Sequence, residues 1–241
     1  MARINTNYDK LAAGYLFPEI ARRTNAFLEQ NPGAQVLRLG IGDTTEPIVP
    51  AVLKGLSDGV HALGKEESYS GYGPSEGVLP LRQALAQFYA ERGISLDPSE
   101  FFVSDGAKSD SANIQGIFSQ DCLVAVQDPA YPVYVDSNVI FGRTGMAGES
   151  GYEGLVYMPC TEENGFFPEL PDRKVDLIYI CSPNNPTGAV ANKEQLKKFV
   201  DYANEHKAVI FFDSAYAALS PILTFRVPSM RSKGHQLVPL R

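Results

Sequence analysis

The residues able to do chemistry gather where apolar runs end. AVIFFD (208–213) closes on Asp213, and Tyr216 follows in DSAY. DLIYICSPNNPTG (176–188) passes from an apolar stretch into Pro183, Asn184, Asn185, Pro186 and Gly188. SDGAKSD (104–110) sets Gly106 and Ala107 before Lys108, and DPAYPVYVD (128–136) holds Tyr131 between two prolines. Each stretch has two readings. Asp213 is a carboxylate partly withdrawn from water behind two phenylalanines, in need of a cation or good donors, or it caps a helix. The asparagines, prolines and glycine of 183–188 build a turn, or that turn aims an amide at a ligand. Gly106 and Ala107 open a helix whose free N–H groups suit an anion, with Lys108 adding positive charge, or they begin an ordinary helix beside a solvated lysine. Tyr131, stiffened by its prolines, lies flat against a planar ligand, or it is a core tyrosine.

The elements that must position these residues alternate along the chain. Helices are expected over 16–29, 50–63 and 80–92, the last from Leu81, Leu85, Phe88 and Tyr89 at helical spacing. Val36–Leu39 reads as a short strand. After residue 100 the expected strands are FFVSDG (101–106), LVAVQDP (123–129), LVYMPC (155–160), DLIYIC (176–181) and AVIFFD (208–213). Between them lie a helical stretch after 106, a helical or irregular stretch over 134–140, and an amphipathic helix over 192–207. Short continuous apolar strands separated by helices predict an α/β fold with a mostly parallel sheet covered on both faces. In such sheets ligands sit outside the carboxyl ends of the strands.

The chain has 241 residues, 44% hydrophobic and 20% charged, the composition of a packed domain. Its net charge of -7 argues against a nucleic-acid or anionic-membrane surface. No apolar run spans a bilayer or forms a secretory signal, so a soluble cytoplasmic chain is expected. Cys122, Cys160 and Cys181, with His61, His206 and His235, have neither disulfide nor metal-ligand spacing, and no metal is expected. LGIGDT (39–44) begins like a dinucleotide fingerprint but has Thr45 where the last glycine should stand, and no G-x-S-x-G motif occurs.

Taken together and in order, GYLFPEIARR, LGIGDTTEPI, YSGYG, VSDGAK, VQDPAYPVYVD, CTEENGFFPEL and CSPNNPTGA resemble the class-I/II, fold-type I pyridoxal-phosphate aminotransferases. Within them the resemblance is to the LL-diaminopimelate aminotransferase family, and it runs from about Asn7 to Ala218. It implies pyridoxal 5'-phosphate as cofactor. By it, Asp213 partners the pyridinium nitrogen, Asn185 and Tyr216 meet the ring's phenolic oxygen, and Tyr131 stacks on the ring. Ala107 and Lys108 sit at the phosphate, and Tyr72 reaches the phosphate of a neighbouring subunit, which implies a homodimer. Tyr15, Gly42, Lys108, Tyr131 and Asn185 line the substrate pocket. The implied reaction moves an amino group between LL-2,6-diaminopimelate and 2-oxoglutarate, in lysine biosynthesis. Its partners are thus small amino and 2-oxo acids, with no nucleic acid and no membrane.

Two departures qualify that picture. Where the family has a glutamate three residues after the GYG tyrosine, this chain has Ser75, followed by Glu76. The family's Schiff-base lysine follows the DSAY segment, and here only Lys233, in RSKGHQ, follows it before Arg241. No residue of these 241 is therefore expected to be the covalent lysine, and an inactive fragment is the reading. From Ser220 onward the tail suits neither strand nor amphipathic helix. Back-translated and reread in another frame, it resembles the family's continuation, which implies a frameshift. The expected layout is an N-terminal segment (1–47), an incomplete large domain (48–218) and a divergent tail (219–241).

Overall fold

The computed structural model describes residues 2–11, 16–37, 46–219 and 238–240. Tyr15, Gly42 and Lys233 lie outside the described residues, as do all of LGIGDT and most of the tail. The chain forms two compact units, one of Met1–Ala12 with Glu76–Arg241 and one of Ala13–Ser75. The second unit holds helices α1 (Leu16–Gln30) and α2 (Pro50–Leu63), which begin and end close to where the sequence periodicity puts them. Pro50 opens α2 at a position where the missing N–H costs nothing.

The larger unit carries α3 (Leu79–Ala90), α4 (Ala107–Asn113), β1 (Val124–Asp128) and α5 (Pro132–Ile140). A small antiparallel hairpin follows, β2 (Ala147–Gly148) with β3 (Gly151–Tyr152), then β4 (Leu155–Pro159) and β5 (Leu177–Cys181). Last come α6 (Lys193–His206), β6 (Val209–Asp213) and β7 (Val238–Leu240). The main sheet has the order β4-β1-β5-β6-β7, with every pair parallel.

Both faces of this sheet are covered, which is why its strands read as unbroken apolar runs. Ala125, Ile178, Ile180, Ile210 and Phe212 point to one face and pack with Phe199, Tyr202 and Ala203 of α6. Val124, Val126, Leu177, Tyr179, Cys181 and Phe211 point to the other, where they meet Tyr134 of α5 and Phe118 below α4. α6 starts with a reciprocal cap, since the Asn192 side chain accepts from Gln195 N and the Gln195 side chain accepts from Asn192 N.

Three expectations need correction. Residues 101–106 form no strand: Val103 N donates to the Glu76 carbonyl at 3.0 Å, and the segment has no ladder partner among the described residues. Phe102 is 75% exposed, so neither burial nor pairing holds the run as a strand. Val36 and Leu37 are likewise irregular. The tail, in turn, does yield a strand, since β7 pairs with β6 and sets Pro239 opposite Phe212. A proline is tolerated there because β7 is the outermost strand.

Candidate functional site at the strand tips

The sheet reverses its growth at β1. β4 lies on one side of it and β5 on the other, so a crevice is expected between the carboxyl ends of β1 and β5. The hydrogen bonds agree. The β1–β5 ladder stops at the pair Val126 and Tyr179. Beyond it the backbone N–H of Cys181 turns to the side chain of Gln127, donating to Oε1 at 2.6 Å. Gln127 is buried, and its amide carries a bond the backbone gives up as the strands part.

On the β5 side of this crevice stands the turn 182–188. Asn184 builds it: its N–H donates to the Ala189 carbonyl at 2.9 Å, and its carbonyl accepts from Gly188 N at 2.7 Å. Its side-chain Nδ2 donates to Thr187 Oγ1 at 3.0 Å and to the Pro129 carbonyl at 3.3 Å, which ties the turn to the loop after β1. Gly188 sits at φ +74°, where a side chain would strain the backbone. With Asn184 holding the turn, Asn185 is left half-buried, and its Nδ2 donates to the Tyr216 hydroxyl at 3.4 Å.

Asp213 ends β6 and is 5% exposed. Strand alternation sends Phe212 to the α6 face and therefore Asp213 to the α5 face, where Tyr134 waits. The Tyr134 hydroxyl donates to Asp213 Oδ2 at 2.5 Å, and Ala215 N donates to Oδ1 at 3.0 Å. No lysine, arginine or histidine among the described residues forms an ion pair with Asp213. Withdrawing a carboxylate from water costs several kcal/mol, and hydrogen bonds to a charge return about 1.5–3 kcal/mol each. Two neutral donors thus hold the carboxylate without cancelling its charge.

Tyr131 caps α5 and is half-buried, its ring edge-on to Tyr134 with centroids 5.7 Å apart. Ala107 and Lys108 are the first two residues of α4. Gly106 before them adopts φ +144°, and a Cβ there would meet open space. α4 is fixed from its far end by buried Arg143, which donates to the carbonyls of Gln115, Phe118 and Ser119 at 2.9, 2.9 and 3.1 Å and to the Gln115 side chain. Asp136 of α5 is half-buried, and burial raises its carboxyl above the usual range while the charge of Lys108 pulls it back down.

The structure thus brings Asn185 to Tyr216, and Tyr131 and Asp213 to a common neighbour, Tyr134. Ala107 and Lys108 stand on the adjoining helix α4. Tyr72 belongs to the smaller unit, in the loop between α2 and α3, and is fully exposed. Two residues were missed by sequence reasoning, Tyr134 and Gln127, whereas Asn184 builds the turn that the sequence assigns to it. Tyr134 lies three residues after Tyr131 at the start of a helix, a spacing that puts both on one face, and this signal could have found it.

Residues 34–226 match the family model for aminotransferase class I and II. L,L-diaminopimelate aminotransferase from Chlamydomonas reinhardtii is 45% identical, the match covering 92% of this chain and 55% of that one, with a TM-score of 0.83. Aminotransferase AspB from Helicobacter pylori is 25% identical over 86% of this chain and 52% of that one, with a TM-score of 0.66. A double mutant of Thermus thermophilus aspartate aminotransferase is also 25% identical, over 88% of this chain and 53% of that one, at a TM-score of 0.70. The chain spans about half the length of each of these proteins. With the family model matched over most of its length and a relative 45% identical over 92% of it, the chain belongs to the class I and II aminotransferases.

Proposed function

We propose that the strand tips hold pyridoxal 5'-phosphate and serve amino transfer between LL-2,6-diaminopimelate and 2-oxoglutarate. The single observation that carries the cofactor reading is the buried Asp213 carboxylate, held by two neutral donors and paired with no cation among the described residues. A protonated pyridine nitrogen is a cation of suitable shape for it. The neighbouring pair Asn185 and Tyr216 supplies two polar groups for an oxygen on the same ring. When bound, the cofactor supplies a planar electron sink beside the carbon bearing the amino group.

The chain's own residues then have separate tasks. Asp213 keeps the proton on the ring nitrogen, and Asn185 and Tyr216 orient the ring through its phenolic oxygen. Tyr131 covers a ring face. The Ala107 amide and Lys108 ammonium hold the phosphate, joined by Tyr72 from the other subunit of a homodimer. Tyr15, Gly42, Lys108, Tyr131 and Asn185 line the substrate side. Covalent attachment belongs to a lysine that the resemblance places after DSAY. The substrate part of the reading rests on the 45% identity to the Chlamydomonas enzyme, and a cytoplasmic setting completes it.

One observation favours a second reading, a different amino acid as substrate. Ser75 stands where a glutamate is expected, while Glu76 is half-buried and its carbonyl is engaged by Val103 N at 3.0 Å. One experiment decides between the two. The coding DNA is read past codon 241, the full frame is expressed, and transfer to 2-oxoglutarate is measured from LL-2,6-diaminopimelate and from aspartate. At least a tenfold preference for diaminopimelate, or about 1.4 kcal/mol at the transition state, is expected. Equal rates favour the second reading, and no transfer from any amino acid removes both.

A further inference from the structure

We infer that Tyr134 is a positioning residue of the cofactor site, setting through its hydrogen bond to Asp213 how strongly that carboxylate holds a ring-nitrogen proton. The inference rests on the cofactor reading above. Tyr134 is 1% exposed, and its hydroxyl reaches Asp213 Oδ2 at 2.5 Å. Its ring cannot swing, because it stacks on Tyr179 with centroids 4.8 Å apart and planes 22° apart. The same ring meets the edge of Tyr131 at 5.7 Å. One rigid side chain therefore fixes both the carboxylate that faces the nitrogen and the aromatic ring that covers the cofactor.

The choice of a phenol has a consequence. A lysine or arginine at this place would neutralise Asp213 and leave it no reason to attract a pyridinium. A phenol donates one hydrogen bond and stays neutral, and burial first, then the neighbouring Cys181 thiol and Asp213, push its own ionisation further up. The carboxylate therefore keeps its charge, softened by one donor on each oxygen. Among the described residues, the other ionisable group facing it across the sheet is Cys181 of β5, in register with Asp213 and on the same face. Its thiol donates to the Pro183 carbonyl at 3.1 Å and also lies against the Tyr134 hydroxyl, so it belongs to the same polar cluster.

Removing the phenol hydroxyl leaves Asp213 a stronger proton acceptor, so the nitrogen of a bound ring should keep its proton to higher pH. The test uses the 241-residue chain with pyridoxamine 5'-phosphate, which carries its own amine and needs no lysine. Binding is read by absorbance, and protonation by the 15N shift of the labelled ring nitrogen across a pH series. Tyr134→Phe should raise the midpoint of the bound nitrogen by about one pH unit, a tenfold shift. Replacement of Tyr134 by 3-fluorotyrosine, a stronger donor of the same shape, should lower it. A residue that only fills space would leave the midpoint in place. Midpoints within about 0.2 units of the unaltered chain, with binding still dependent on Asp213, overturn this inference alone. Absence of binding by the unaltered chain, or binding indifferent to Asp213→Asn, overturns the cofactor reading and this inference with it. Should Tyr134→Phe fail to fold, the fluorotyrosine protein decides by the direction of its shift.

Discussion

The two faces of the main sheet are built from the same strands and differ in kind. Toward α6 the strands send Ile178, Ile180, Ile210 and Phe212 into contact with Phe199, an interior that is almost wholly apolar. Toward α5 they send Tyr179, Cys181 and Asp213, and these meet Tyr134, with buried Gln115 and Arg143 below. One residue of shift along a strand separates the two environments, because side chains alternate across the pleat. The difference teaches how one fold divides two tasks. The α6 face stabilises the sheet, while the α5 face gives up part of that stability to hold a buried charge.

The largest expected effect breaks the stabilising face. Phe199 is 2% exposed and lies edge-on to Phe167 with centroids 5.8 Å apart. Phe199→Ala should cost about 3–5 kcal/mol in denaturant unfolding, from lost burial and the cavity left behind. Should the loss fall below about 1 kcal/mol, the α6 face is not the stabilising one. Asp213→Asn is the complementary change on the other face. It should lower the affinity for pyridoxamine 5'-phosphate by about a hundredfold, read by absorbance titration, because an amide offers the nitrogen no charge. Stability should hardly fall, since the amide oxygen can still accept from Ala215 N and the cost of the buried charge is removed. A hundredfold loss of affinity together with a large loss of stability would erase the distinction between the faces.

How much of this was legible in the sequence follows from range. β1, β5 and β6 were visible because a strand buried on both faces needs an unbroken apolar run, and each has one. Asn185, Asp213 and Tyr216 were visible because polar residues directly after such runs stand at the sheet's edge. The strand expected over 101–106 was not there, because a strand is a property of a pair and local composition says nothing of the partner. Tyr134 escaped for the same reason: its hydrogen-bond partner is 79 residues away in the chain. Gln127 serves Cys181 across 54 residues, and no local pattern marks it as more than a polar interruption of a strand.

A smaller effect sharpens the contrast through pH. Burial first, and then the charge of Asp213, push the Cys181 thiol up to about 11 from its ordinary 9.0. The folded chain thus holds this proton at pH values where the unfolded chain has released it. Stability from this group is complete below pH 9, declines as pH rises, and is gone by about pH 11, for a total of about 2 kcal/mol. Cys181→Ala should flatten the alkaline fall in stability between those values by one proton's slope. Ile180→Val on the α6 face removes no titrating group and should leave the slope unchanged. Equal slopes in the unaltered chain and Cys181→Ala would show that burial and Asp213 together do not raise this thiol.

The smallest effect lies on the outer side of α6, where burial no longer contributes. Lys197 and Asp201 pair one turn apart, with side chains 70% and 61% exposed. Water screens the pair, and two long side chains lose freedom to make it. Its order along the helix, cation before anion, is also the weaker of the two arrangements for the helix dipole. Lys197→Ala should therefore move the melting temperature by about 1 °C, less still in 1 M salt. The same helix gives its largest response at Phe199 and almost none at Lys197. A shift above about 4 °C at Lys197 would mean that α6 is held by its outer charges as well as by its buried stripe.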